Sequence, residues 1–271
     1  MPFVVTKERD RMRKPFVEPL QYGNEVLHEL DEDVSKLLNR DFREANWAPY
    51  LKYVKKKAAQ VHINLPATLP THLIFQWMEA SFIGLDGKGS AAVVSYGAPV
   101  EAWFLKKRFP QLSVHAAWQA DTTGIEALCK YFMLDSANHV SSILRYIPHD
   151  VVGAKYDAIV LPHIIQTLHT SPSAFLQELR GSLNDGGVIY LSATNGEAEG
   201  LQTYKFKDYY DGATEEEAMK DTTDGLVEDT WYFKDFELIE LFKRAGYRVL
   251  RFGHAAADAE VCLNYAITPG K

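Results

Sequence analysis

The runs YDAIVL (156–161) and VIYL (188–191), with a helix-like segment between them, decide the fold of this chain. The intervening segment opens at Ser171-Pro172 and carries apolar residues three and four positions apart. The turn sequence NDGG (184–187) separates it from the second run. Short apolar runs that alternate with amphipathic helices are typical of parallel strands buried on both faces of a sheet. The stretch therefore predicts a strand–helix–strand unit of an α/β protein.

The order of elements changes downstream of this unit. A helix is predicted from Asp235, which suits an N-cap, to Gly246, which suits a C-terminal stop. Two apolar runs follow at 247–252 and 261–267, and no helical pattern lies between them. Strands joined without a helix pair antiparallel, so we predict an antiparallel pair at the C-terminal edge of the sheet.

Three further strands and two helices are predicted upstream. The strands are placed at 91–95, 112–117 and 140–147, and the helices at 99–109 and 125–134. Together with the segments above, they predict a three-layer α/β/α arrangement around a seven-stranded, mostly parallel sheet.

The N-terminal third follows a different pattern. Residues 1–25 hold three prolines and little periodicity, whereas helical periodicity runs through 24–60 and 71–83. We therefore divide the chain into an N-terminal arm and helical cap, residues 1–85, and an α/β domain, residues 86–271. Within that domain, residues 196–230 form a long acidic insertion.

Composition narrows the classes of function. The chain has 271 residues and a net charge of −7, which argues against binding nucleic acid by broad phosphate neutralisation. The one dense basic cluster, Lys52 with Lys55, Lys56 and Lys57, is interpreted as a solvated helix face.

The two cysteines lie far apart, which predicts free thiols and a reducing compartment. There is neither an apolar signal core nor a membrane-spanning run, so a cytoplasmic protein without membrane contact is expected.

The strand–helix–strand unit at 156–191 and the two final strands resemble the C-terminal half of a class I S-adenosylmethionine-dependent methyltransferase. The resemblance implies a Rossmann-like fold with the cofactor bound beyond the carboxyl ends of the strands, near the switch point. The resemblance also implies S-adenosylmethionine as the cofactor, although the motifs that hold it are degenerate in this sequence.

The turn after the first strand matches only part of the family pattern. That pattern is an acidic residue, one further residue and then Gly-x-Gly. Ser95 stands at the acidic position, Tyr96 and Gly97 follow, and Pro99 replaces the second glycine. The resemblance implies that Ser95, Tyr96 and Gly97 bind the cofactor. The alternative is that Gly97 only permits a tight strand-to-helix turn.

The end of the second strand departs further from the family. Trp118 occupies the position of the ribose-binding acid, and the neighbouring Gln119 could hydrogen-bond the ribose instead. Asp121 lies three residues late and suits a helix cap better. Both Trp118 and Gln119 are counted as candidate cofactor-binding residues.

The third and fourth strands supply the remaining candidates. Tyr146, after the predicted third strand, could stack on the adenine or lie in an exposed loop. Leu161 ends the fourth strand and is a candidate cofactor contact. His163 follows it, where a histidine could act as a general base, or could instead be a packed or capping residue. No spacing typical of metal ligands is found.

Three functions follow from this reading. The first is methyl transfer to an oxygen or nitrogen of a small-molecule acceptor, with the N-terminal helices and the insertion closing over the pocket. The second is a methyltransferase-like protein that has lost methyl transfer and acts as a binding or assembly partner, or performs other chemistry in the same pocket. The third, a nucleic-acid methyltransferase, has the lysine cluster in its favour and the net charge against it. The N-terminal helices also offer a surface for a homodimer.

Overall fold

The computed structural model describes residues 47–63, 65, 71–120, 123–140, 155–168, 171–194, 207–208, 231–233, 235–257 and 260–270. Its helices are α1 (Trp47–Gln60), α2 (His72–Gly84), α3 (Val100–Arg108), α4 (Thr123–Tyr131), α5 (Pro172–Arg180) and α6 (Asp235–Arg244). A short 3₁₀ turn covers Ile165–Thr167. Within the described ranges, none of the helices combines the length and apolar character needed to span a membrane.

Nine strands accompany the helices in these described ranges. They are β1 (Ser90–Ser95), β2 (Ser113–Trp118), β3 (Ser136–His139), β4 (Tyr156–Pro162), β5 (Leu183–Thr194), β6 (Lys207–Asp208), β7 (Trp231–Tyr232), β8 (Tyr247–Ala257) and β9 (Glu260–Pro269). Seven of them form one sheet in the order β3-β2-β1-β4-β5-β9-β8. Strands β1 to β5 are parallel, and β9 and β8 pair antiparallel at one edge. The predicted seven-stranded sheet with an antiparallel C-terminal edge is confirmed.

Two apolar layers cover the two faces of the sheet. Alternate residues of β1 show this, because Ala91 and Val93 pack with α1, α2, α3 and α4, whereas Ala92 and Val94 pack with α5 and α6. Successive side chains of a strand point to opposite faces, so a strand covered on both sides must be apolar throughout. The result is the three-layer α/β/α arrangement that the sequence predicts.

The described helices of the N-terminal segment belong to the first of these layers. Seven residues of α2 are buried, and the helix packs against α3, β8 and β9. Helix α1 contributes Leu51, Val54 and Ala58 to the same apolar cluster. Residues 1–46 lie outside the described part of the chain, and the division after residue 85 stays a prediction.

The predicted third strand at 140–147 is wrong in position. The strand is Ser136–His139, and Val140 follows it. This strand forms one edge of the sheet and its side chains are largely exposed, so it needs no apolar run. The apolar pattern of the sequence therefore predicts the strand too late, at the apolar residues that follow His139. Residues 141–154 lie outside the described part of the structure.

The turn predicted at 184–187 lies inside β5. That strand starts at Leu183, opposite Tyr156, but the next pair is Val188 with Ala158. Extra residues therefore loop out of the ladder at the start of β5, and Gly186 takes a φ of 75° there. Of the predicted insertion at 196–230, the structure describes only the short strand β6, which pairs with β7.

Candidate functional site

The pairing of β1 with β4 stops short of the carboxyl ends of both strands, and the gap between these two strand ends is called the crevice. Pairing of β1 with β2 continues to Ser95 and Trp118, the last residues of both strands. Pairing of β1 with β4 stops earlier, at Val93 and Val160, although both strands continue for two more residues. The strand order also reverses between β1 and β4, and ligands of open α/β sheets bind at such a switch point.

The turn after β1 forms one wall of this crevice. The Ser95 hydroxyl donates a hydrogen bond of 2.9 Å to the carbonyl oxygen of Gly97, which stabilises the turn. A Cβ added at Gly97 would meet no atom within 4 Å, and the φ of Gly97 is not in the left-handed region. Neither the backbone conformation nor packing within the described chain therefore requires glycine here. The open space leaves room for a ligand to approach the backbone.

The amide groups at this turn fit an anionic ligand group. Among the described residues, the N–H groups of Gly97 and Ala98 find no hydrogen-bond acceptor. Pro99 is the N-cap of α3, so this helix begins at Val100, one residue later than predicted. A helix N-terminus preceded by amides with unused hydrogens suits a carboxylate.

The end of β2 is tied to the same turn. The amides of Gln119 and Ala120 donate to the carbonyl oxygen of Tyr96 at 3.3 and 2.8 Å. The Trp118 side chain has no exposed surface and packs in the layer formed by helices α1 to α4. A contact between its indole and a ligand would require the ring to leave the core. The ends of β1 and β2 carry no carboxylate. Trp118 occupies the position of the family's ribose-binding acid, and Gln119 is the polar residue next to it in sequence.

His163 follows β4 and has an unusual backbone conformation. Its φ is 56°, which costs a residue with a Cβ about 1–2 kcal/mol. Its amide donates to the carbonyl oxygen and to the hydroxyl oxygen of Ser192, at 3.1 and 3.0 Å. Its ring nitrogen Nε2 lies 3.7 Å from the Sγ atom of Cys262. Strained backbone that the surroundings hold in place is found preferentially at functional sites.

A polar pair lies beside His163. The Gln166 side chain accepts a hydrogen bond of 2.6 Å from the Thr194 amide and donates one of 3.2 Å to the Thr194 hydroxyl. Thr194 ends β5 and is paired in register with Cys262 of β9. These residues were not singled out as site candidates from the sequence. The only local signal was the position of Gln166 in the segment after β4.

The structure brings some predicted residues together and separates others. Tyr96 and Gln119 meet through their backbones, and Ser95 and Trp118 are register partners. Leu161 has no exposed surface and belongs to the apolar layer beneath α5 and α6. Tyr146, like Asp121, lies outside the described residues. No group of three His, Cys, Asp or Glu side chains that could hold a metal occurs in the described ranges.

Neither a protein-family model nor a curated protein matches the sequence. Solved structures do match the fold. Magnesium protoporphyrin IX methyltransferase (ChlM) from Synechocystis PCC 6803, solved with bound S-adenosylhomocysteine, is 9% identical with a TM-score of 0.52. The match covers 83% of this chain and 99% of that one.

Another match is an S-adenosylmethionine-dependent methyltransferase from Clostridium acetobutylicum ATCC 824, at 9% identity and a TM-score of 0.46. It covers 89% of this chain and 99% of that one. The sheet order β3-β2-β1-β4-β5-β9-β8 and the similarity to the Synechocystis structure both support the same fold. The chain therefore has the fold of the class I S-adenosylmethionine-dependent methyltransferases.

Proposed function

We propose that this protein is an S-adenosylmethionine-dependent methyltransferase that acts on an oxygen or nitrogen of a small molecule. The observation that carries the proposal is the strained backbone of His163 at the carboxyl end of β4. Two hydrogen bonds from the His163 amide to the carbonyl and hydroxyl oxygens of Ser192 hold this residue beside the crevice where the fold family binds its cofactor. A conformation that costs free energy and is held by specific bonds favours a functional role.

The residues of the crevice fit the cofactor in part. The amides of Gly97 and Ala98 would hold its carboxylate, and the space in front of Gly97 admits it. Gln119 would hydrogen-bond its ribose in place of the missing acid. When bound, the cofactor supplies an electrophilic methyl group to the acceptor.

His163 would take up the proton of the acceptor. Imidazole changes charge near neutral pH, which suits a general base for a hydroxyl or an amine. The two hydrogen bonds that the His163 amide donates to Ser192 fix the backbone, and the Cys262 sulfur lies next to Nε2. Much of the acceleration of methyl transfer comes from positioning the acceptor in line with the methyl group. We therefore expect removal of the imidazole to slow turnover and to leave a residual rate that positioning alone supports.

A small-molecule acceptor is favoured over nucleic acid. The net charge of −7 opposes binding to phosphates. The lysine cluster on α1 is also partly engaged, because the Lys57 ammonium lies 4.7 Å from the ring centroid of Tyr131 and 5.7 Å from that of Tyr53.

The test is an acceptor screen that measures S-adenosylhomocysteine release from wild type and from His163→Gln. The proposal expects release that depends on one class of small acceptors and falls by roughly a hundredfold or more in the variant. Release that depends on RNA, or no release with any acceptor despite saturable cofactor binding, would contradict it.

The second candidate is a methyltransferase-like protein without methyl transfer. It is favoured by the buried Trp118 at the position of the family acid and by the Ser95 hydroxyl, which donates to its own turn. Such a protein would bind a partner or a different ligand through the same crevice. Failure of both S-adenosylmethionine and S-adenosylhomocysteine to bind a folded sample would favour it.

A further inference from the structure

Arg251 is a buried cation with no counter-ion in the described structure. Only 8% of the residue is exposed, and its Nη1 atom has no hydrogen-bond partner. Among the described residues, none forms an ion pair with its guanidinium. Burial lowers its pKa to about 10, so the group remains charged at neutral pH. Burying a charge without a partner is costly, and such groups normally pair with an anion.

A β-bulge turns Arg251 toward the inside of the protein. Val249 is opposite Ile267, but Arg251 is opposite Ala266, so Leu250 is an extra residue in the ladder. Because of the bulge, Leu250 and Arg251 both lie on the face covered by α2, whereas a regular strand would alternate. Bulges occur often where a side chain must be re-aimed for function.

The side chain lines a pocket between the last turns of α2 and the strands β4, β5, β8 and β9. The pocket has a volume of ≈ 260 Å³ and is partly open to solvent. It lies at the amino ends of β4 and β5, where Ala158 and Gly187 line it. His163 follows the opposite end of β4, about 20 Å away along the strand. The pocket is therefore separate from the crevice of the proposed methyltransferase site.

The walls of the pocket combine apolar surface with fixed hydroxyl groups. Trp77 and Phe82 of α2 supply aromatic surface. The Ser81 hydroxyl donates to the carbonyl oxygen of Trp77 at 3.0 Å, so the Tyr190 hydroxyl is the donor in its 2.6 Å bond with Ser81. Tyr190 is thus held in place next to Arg251 and keeps an oxygen lone pair available.

The carboxylates at the pocket do not neutralise Arg251. Asp157 accepts hydrogen bonds from the Ser90 amide, the Ser90 hydroxyl and the Asn184 amide group, at 2.8, 3.2 and 2.7 Å. Asp185 is exposed. With one arginine and two aspartates in the lining, a ligand with a single negative charge suits the pocket better than a dianion.

We propose that this pocket binds a small organic monocarboxylate, with its carboxylate on the Arg251 guanidinium and its apolar body against Trp77 and Phe82. The planar guanidinium matches a carboxylate in a bidentate arrangement. The aromatic side chains give the binding energy of apolar burial, which inorganic anions could not use. The proposal is independent of the proposed methyl transfer.

The test is titration of the full chain with benzoate and with benzamide, its neutral counterpart, followed by calorimetry and by ligand-observed NMR. Benzoate is expected to bind saturably and benzamide at least about tenfold more weakly, because a charge-assisted bond is lost. Arg251→Met should reduce benzoate affinity by a similar factor. Arg248→Met, on the same strand but outside the lining, should leave it unchanged.

The unfolding temperature of Arg251→Met distinguishes a ligand-binding role of Arg251 from a purely structural one. Without ligand, Arg251→Met should unfold at a higher temperature than wild type, because an uncompensated buried charge is removed. Benzoate should raise the unfolding temperature of wild type but not of the variant.

Four results would overturn the proposal. They are equal binding of benzoate and benzamide, no benzoate binding to wild type, tighter binding of inorganic phosphate than of benzoate, and displacement of benzoate by S-adenosylhomocysteine. A lower unfolding temperature of ligand-free Arg251→Met would do so as well, since it would show that a group of this chain already neutralises the arginine. The ligand titrations on wild type decide the question even where the variant does not fold.

Discussion

The amide of His163 donates to both the carbonyl oxygen and the hydroxyl oxygen of Ser192, across the ends of β4 and β5. These bonds hold a φ of 56° at a residue that carries a side chain. The backbone conformation after β4 is therefore set by hydrogen bonds to β5 and not by the intrinsic conformational preference of His163.

Loss of the Ser192 hydroxyl should destabilise the protein. Ser192→Ala removes one of the two acceptors of the His163 amide, which we expect to cost about 1 kcal/mol in the free energy of unfolding. Ser182→Ala is the matched control, because Ser182 is also fully buried but its hydroxyl has no partner among the described residues. The control should be neutral or stabilising. Urea denaturation compares the two, and equal losses in both variants would count against the role given to Ser192.

Glycine should relieve the strain at residue 163. We expect His163→Gly to be more stable than His163→Ala by about 1 kcal/mol, because glycine adopts a positive φ without steric cost. Both variants lose the imidazole, so their rates of methyl transfer should be equally low. Unfolding and turnover are measured on the same preparations. If alanine proves the more stable of the two, the backbone of residue 163 is not strained.

An added methyl group at Gly97 should separate folding from ligand binding. A Cβ at this position meets no atom of the described chain, and its φ is not left-handed. Gly97→Ala should therefore change the free energy of unfolding by less than about 1 kcal/mol. The same methyl group would enter the space in front of the turn and weaken S-adenosylhomocysteine binding. Calorimetry measures the affinity, and an unchanged affinity would place the cofactor elsewhere.

Glu101 should make the stability depend on pH. The carboxyl is buried and receives a hydrogen bond of 2.9 Å from the Thr71 hydroxyl, and burial raises its pKa above the ordinary value of 4.5. A raised pKa means that its contribution to stability is complete below pH 4.5 and is lost as the pH rises through the folded-state pKa. Glu101→Gln should flatten this part of the profile. Denaturation of both proteins across the acidic to neutral range tests it, and parallel profiles would contradict the expectation.

The sequence predicts the fold well where strands are buried and poorly where they are exposed. Strands β4 and β5 and helices α5 and α6 have strong apolar patterns because they face the core on defined sides. Strand β3 is an edge strand with exposed side chains, so no hydrophobic pattern marks it. The start of β5 was hidden for another reason, since its glycines mark a loop out of the ladder and not an end of the strand.

The candidate site also has a part that local sequence predicts and a part that depends on contacts between distant strands. His163 could be proposed from its position after β4, but its φ depends on Ser192, which lies in another strand. The approach of Cys262 to His163 depends on the antiparallel register of β9 on β5, which no local pattern fixes. The inward position of Arg251 is only weakly indicated by the sequence. Val249 and Leu250 are adjacent apolar residues, which breaks the alternation of a strand at the bulge.

The central claim is that the crevice between β1 and β4 binds S-adenosylmethionine although the family's acids are missing. The most direct measurement is calorimetric titration of the full chain with S-adenosylmethionine and with S-adenosylhomocysteine. The account predicts saturable binding of both with one site per chain and a micromolar dissociation constant, about −8 kcal/mol. A well-folded sample that binds neither compound would contradict it.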